Sequence, residues 1–159
     1  MISPGCRSGR RTWCGFTLVE IMVVVVIIGL LATLALPAFQ RVRRRAIAAR
    51  FVNDVRQIRD GAERYAVEHG AFPPNGVAGL HANLRGYIPD SVFTATTTPL
   101  GGVWDWDYQQ NGITAAISVY QYTATDDLLR EVDRTLDDGD LSTGLFRRIG
   151  SKAVLIIEP

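Results

Sequence analysis

The chain is poor in the residues on which most enzyme and metal chemistry depends. It has two cysteines, Cys6 and Cys14, and none after residue 14. That excludes a disulfide framework and a cysteine-ligated zinc site from everything downstream. Histidine is as scarce: His69 and His81 are twelve residues apart and share no zinc-binding spacing. There is no G-x-S-x-G turn and no phosphate-cradling glycine loop. These gaps point away from an enzyme. Net charge is low, at +1, and by itself selects no partner.

The charge is unevenly spread. Residues 39–65 carry eight arginines and three acids, whereas residues 66–159 carry six basic and twelve acidic groups. A basic stem therefore joins an acidic head. Such a head does not suit nucleic acid, whose phosphates need a positive surface.

What the chain has in excess is one apolar run. Phe16 to Ala38 is 23 residues with a single charge, Glu20. As a helix it would extend about 34 Å, enough to cross a hydrocarbon core of about 30 Å. Val23–Ile28 is β-branched at nearly every position, a poor helix in water, but in lipid the backbone must bond to itself. The run is longer than the apolar core of a cleavable signal peptide. Charge counting across it, three arginines before and five just after, would leave the C-terminal side in the cytoplasm. A carboxylate inside such a run needs a partner or a route to water. A cut after Gly15 would create an amine on Phe16, four residues from Glu20. Snorkelling of Glu20 to the interface is the alternative.

Gly15-Phe16-Thr17-Leu18-Val19-Glu20, behind a basic leader and ahead of about twenty apolar residues, resembles the processing motif of type IV prepilins and of type II secretion pseudopilins. The resemblance implies that a prepilin peptidase cuts between Gly15 and Phe16 and that Phe16 is then N-methylated. It implies that Glu20 pairs with the terminal amine of a neighbouring subunit during assembly. Gly29 and Pro37 stand where pilin helices often carry helix-weakening residues. Cys14 departs from the pattern, which often has a basic residue there. The resemblance also implies an N-terminus in the cytoplasm and a head in the periplasm, opposite to the charge count.

After Pro37, which lacks an N–H and should loosen the helix, the sequence continues as an amphipathic helix. Val52, Val55, Ile58, Ala62, Tyr65 and Ala66 recur at helical steps, and Gly70 is a C-terminal stop. Arg41, Arg43, Arg44 and Arg45 suit lipid head groups or a solvated face. Residues 71–90 read as loop, with a short helical turn near Leu80–Leu84. Gly70-Ala71-Phe72-Pro73 resembles the end of the long helix in pseudopilins. Val103–Gln109 alternates, with Trp104, Trp106 and Tyr108 on one face and Asp105 and Asp107 on the other. Asn111-Gly112 is a hairpin turn. Ile113–Tyr120 returns, with Ile113, Ala115, Ile117 and Val119 sharing a face. Ala153–Ile157 supplies a third strand. Between them lies a short helix, with Thr125 as its cap, Asp126 and Asp127 at its positive end, and Gly139 beyond its close.

The expected fold is α+β and pilin-like, a long N-terminal helix packed on a small antiparallel sheet. The expected organisation is a leader over 1–15, a transmembrane and assembly helix over 16–38, an amphipathic stem over 39–69 and a globular head over 70–159. Asp137, Asp138 and Asp140 cluster around Gly139. Clustered oxygens suit calcium, but the EF-hand pattern is absent, and a solvated helix end is the simpler expectation; no cofactor is otherwise implied. The expected function is that of a structural subunit of a type II secretion pseudopilus. Its partners would be the prepilin peptidase, other pilin-like subunits, an inner-membrane assembly platform and lipid. The alternatives are a pilin of a type IV pilus or DNA-uptake machine, and a membrane-anchored binding module.

Overall fold

The computed structural model describes residues 16–75 and 79–159. The elements run α1 (Leu18–His69), a 3-10 turn (Ala82–Leu84), α2 (Asp90–Phe93), β1 (Val103–Gln110), β2 (Ile113–Tyr120), α3 (Asp126–Leu136), β3 (Phe146–Ile149) and β4 (Lys152–Glu158). The chain divides into two compact units, one ending at Phe39 and the other spanning Gln40–Pro159. This is the α+β arrangement expected, a long N-terminal helix with an antiparallel sheet.

Helix α1 starts where local chemistry favours it. The Thr17 hydroxyl accepts a hydrogen bond from the Glu20 amide at 3.2 Å. That is half of a capping box, and an acid in the first turn suits the positive end of the helix. The helix continues through Pro37. It stops at Gly70, whose φ of 76° closes the last turn while its N–H donates to the Ala66 carbonyl at 2.8 Å.

In the second unit, the C-terminal part of α1 lies on the sheet. Ala48, Phe51, Val52, Val55, Ile58 and Ala62 are buried at three- and four-residue steps. Tyr65 and Ala66 are half-buried, so the stripe fades toward the helix end. Phe51 stacks on Trp104 with centroids 5.2 Å apart and meets Phe146 edge-on at 6.0 Å. Trp106 is 1% exposed, and its indole N–H donates to the Pro73 carbonyl at 2.9 Å. The tryptophan stripe is therefore core rather than a ligand platform.

The sheet has four strands, ordered β1-β2-β4-β3, all neighbours antiparallel. The β1–β2 turn is Asn111-Gly112, both with positive φ, the twist that suits a right-handed hairpin. Three features differ from the sequence expectation. A fourth strand, β3, forms the edge and joins β4 through Gly150-Ser151. Asp90–Phe93 forms a helical turn, α2, where only a turn was expected. Ile113 does not share the face of Ala115, Ile117 and Val119. It packs with Ala116, Val154 and Ile156 in a second apolar cluster. The register of β2 against β4 shifts between Ala115 and Ala116, next to the point where the alternation along β2 breaks.

Candidate functional site

Two places carry the residues singled out from the sequence. The first is the start of α1. Gly15 lies outside the described residues. Phe16 precedes the helix and is 77% exposed. Glu20 is exposed, and among the described residues its carboxylate has no hydrogen-bond or ion-pair partner. Every residue from Phe16 to Arg43 is exposed, although most of the stretch to Phe39 is large and apolar. Val19, Met22, Val23, Val26 and Ile27 line a shallow groove along one face. Gly29 has open space around it, and its carbonyl accepts the Thr33 hydroxyl at 2.9 Å. A soluble monomer does not leave an apolar surface of this extent in water. Among the described residues, α1 is the one helix long and apolar enough to cross a membrane. Lipid and other apolar helices are the two surroundings that satisfy such a face.

The second place is the C-terminal end of α3. The helix buries Leu128, Leu129 and Val132 against the core and, with them, Asp133. Asp133 has no solvent exposure, and neither carboxylate oxygen has a hydrogen-bond partner among the described residues. Burial first, and then the charges of Asp138, Asp137 and Asp140, push its pKa up to about 6. Asp137, the C-terminal cap, stands one turn further on. One oxygen each from Asp133, Asp137 and Asp138 lie within 4.8 Å of one another. Asp140 is engaged elsewhere: its Oδ1 accepts the Ser142 amide at 3.0 Å and hydroxyl at 2.6 Å. Those bonds hold its pKa below the usual carboxylate range.

The structure thus groups Asp137 and Asp138 with Asp133, a residue the sequence reading passed over, and turns Asp140 into a loop brace. A signal for Asp133 was present. Leu129, Val132, Asp133 and Leu136 fall at helical spacing, so an acid occupies a position of the apolar stripe. The sequence reading also missed Lys152. Its Nζ lies 2.7 Å from both Asp105 Oδ2 and Asp107 Oδ1 on the sheet face away from the core. Burial lowers the Lys152 pKa, but the bonds to the two carboxylates outweigh it and the net shift is upward.

An exposed apolar helix opened by a threonine cap and a glutamate, followed by a stem laid on an antiparallel sheet, is a pilin-like fold. Residues 14–36 match the model of the prokaryotic N-terminal methylation motif. The chain is 36% identical over 84 residues to a type IV major pilin protein of Neisseria gonorrhoeae, covering 51% of this chain and 39% of that one. It is 36% identical over 86 residues to the fimbrial protein EcpC of Eikenella corrodens, covering 53% and 56%. It is 33% identical over 64 residues to the type II secretion system core protein G of Aeromonas hydrophila, covering 40% and 45%. The chain thus spans about half the length of these curated relatives. Among solved structures, the major type IV pilin PilA1 of Clostridium difficile has the same fold, with a TM-score of 0.53 at 14% identity, covering 73% of this chain and 97% of that one.

Proposed function

We propose that the chain is a structural subunit of a filament assembled from the bacterial inner membrane, with no catalytic role, and that the filament is a type II secretion pseudopilus. The observation that carries the reading is the unburied apolar helix headed by the methylation motif. The helix would hold the subunit in the membrane with its N-terminus cytoplasmic and its head periplasmic. Prepilin peptidase would cut after Gly15 and Phe16 would be methylated. Glu20, unpartnered among the described residues, would meet the Phe16 amine of a neighbouring copy as the helices pack into the filament core. Pairing there removes the cost of a bare carboxylate in an apolar surround. Gly29 and Pro37 would let the helix adjust during that packing. The assembly platform and other pilin-like subunits would be its partners, and nucleic acid would not.

A second reading, a type IV pilus subunit, is supported by the longer matches to pilins than to the secretion protein. Loss of protein export without loss of surface pili on deletion supports the first; the reverse supports the second.

The test of the common core is N-terminal peptide and intact-mass analysis of the protein from native membranes. A chain starting at Phe16 and heavier by one methyl group is expected. A chain retaining residues 1–15 in cells with active prepilin peptidase would overturn the reading. Glu20→Ala is expected to be processed and stable in the membrane but absent from filaments.

A further inference from the structure

We propose that Arg41, Arg43, Arg44 and Arg45 form a collar on α1 that binds the head groups of anionic phospholipid. The inference rests on the reading of Phe16–Ala38 as a membrane anchor. It does not depend on which filament the chain joins.

The first observation is a charge the chain leaves uncompensated. Between Glu20 and Asp54 there are five arginines and no acid. Arg41 stands three and four residues before Arg44 and Arg45 in one helix. Like charges at that spacing are neighbours and destabilise a helix. Further along, α1 neutralises itself: Arg59 Nε lies 3.6 Å from Glu63 Oε1, one turn on. Among the described residues, only Arg45 of the four has an ion-pair partner, Glu131 Oε1 at 3.3 Å, and its side chain is still 74% exposed. Arg41 and Arg43 are exposed and Arg44 is half-buried. An anion supplied from outside the chain offsets this repulsion.

The second observation is position. Phe39, large, apolar and exposed, closes the apolar run, and Ala48 is the first buried residue of α1. The collar occupies the interval between them. From Arg41 to Arg45 the helix rises about 6 Å. The polar layer of one leaflet, half the difference between the whole bilayer and its hydrocarbon core, is about 5–7 Å thick. The collar therefore has the height of a head-group layer, and it begins about 3 Å beyond the last apolar residue.

The third observation is arrangement. Successive helical residues turn by about 100°, so Arg41, Arg44 and Arg45 share one side and Arg43 takes the other. A protein partner meets a helix from one side, whereas lipid surrounds it. The distribution favours lipid over the acidic head of a second copy.

The side chain selects the class of lipid. A guanidinium presents a planar fork that matches two phosphate oxygens at once. Every phospholipid carries a phosphate, but the ammonium of a zwitterionic head group cancels its charge. Only an anionic lipid gives the net negative surface that draws arginine to it.

The test reconstitutes the full-length protein into vesicles of equimolar phosphatidylglycerol and phosphatidylcholine and floats them on a density gradient. Floated protein is extracted in mild detergent, and the lipid that stays with it is quantified by mass spectrometry. Phosphatidylglycerol is expected to exceed phosphatidylcholine by at least about fivefold, the weight of one arginine near an anionic surface. Changing Arg41→Gln, Arg43→Gln and Arg44→Gln together should cut that ratio at least about fivefold. All three precede the first buried residue of the stem, and glutamine is as good a helix former as arginine, so folding is not at stake. Salt at about 0.5 M should weaken the preference by screening. Arg59→Gln, further along the stem, should leave it unchanged. No preference in the wild type, a preference that the triple variant keeps, or an equal loss in Arg59→Gln would overturn the proposal. Arginine-dependent cross-linking between copies in pure phosphatidylcholine vesicles, with no head-group preference, would assign the collar to a second copy instead. A chain that does not float with the vesicles would overturn the anchor reading itself, an outcome distinct from the others.

Discussion

At the scale of single residues, Gly61 is a helix glycine fixed by a close approach. Glycine inside a helix costs about 1 kcal/mol relative to alanine, so its place in α1 needs a reason. A β-carbon there would lie 2.7 Å from Ile88 Cγ1 and 2.9 Å from the Tyr87 carbonyl oxygen. The loop after the stem presses against the helix backbone at this point. Gly61→Ala should gain its helix propensity and lose more to overpacking, which typically costs about 1–3 kcal/mol. The net expectation is a loss of about 1 kcal/mol, read as a lower urea midpoint with an unchanged slope. Ile58, one turn earlier and wholly buried, tests the opposite fault. Ile58→Ala should cost about 2–5 kcal/mol through the cavity it leaves. The periodicity of the stem marked Ile58 as core. Nothing in the sequence marked Gly61, because the reason for it lies some 26 residues further along the chain.

At the scale of elements, the sheet is tied across its strands by Lys152 on β4. This lysine bridges Asp105 and Asp107 on β1 although β2 lies between them. The alternation of β1 placed both aspartates on the face away from the tryptophans, and that is where they are. Their partner is not legible locally, since it comes from the last strand. Lys152→Met would leave two partly buried carboxylates side by side and should destabilise by about 2 kcal/mol, the scale of a hydrogen bond to a charged group. The pH dependence follows from the upward shift of the Lys152 pKa. A group with a raised folded pKa contributes fully below its unfolded value, about 10.4 for lysine, and loses that contribution as pH rises through the folded value. The difference between wild type and Lys152→Met should be constant from pH 7 to about 10 and shrink above it, by denaturant titration at each pH. Strand β3 was missed because it is a four-residue edge with two adjacent arginines, which hides any apolar alternation. Its turn, Gly150-Ser151, was the available signal.

At the scale of the whole molecule, the buried hydrophobic residues all fall at or after Ala48, within the unit Gln40–Pro159. Among the described residues before Phe39, none is buried. Folding of the head should therefore not need the apolar segment. A chain of residues 40–159 is expected to be soluble and folded, with a cooperative thermal transition by circular dichroism. A protein that is molten or aggregated without residues 1–39 would show that the core needs cover from the apolar segment. The full-length chain should partition into detergent or membrane.

The apolar run, its opening cap, the stem stripe and the Asn111-Gly112 hairpin were all legible in the sequence. Each depends on neighbours within a few residues: hydrophobic period, capping and turn chemistry act locally. So was the α+β class, which follows from the kind and order of those elements. The strand order β1-β2-β4-β3, the bridge from Lys152 to the first strand and the need for glycine at position 61 were decided by the tertiary structure alone. They arise where distant segments meet, and the free energy that selects them is that of contacts no local pattern encodes.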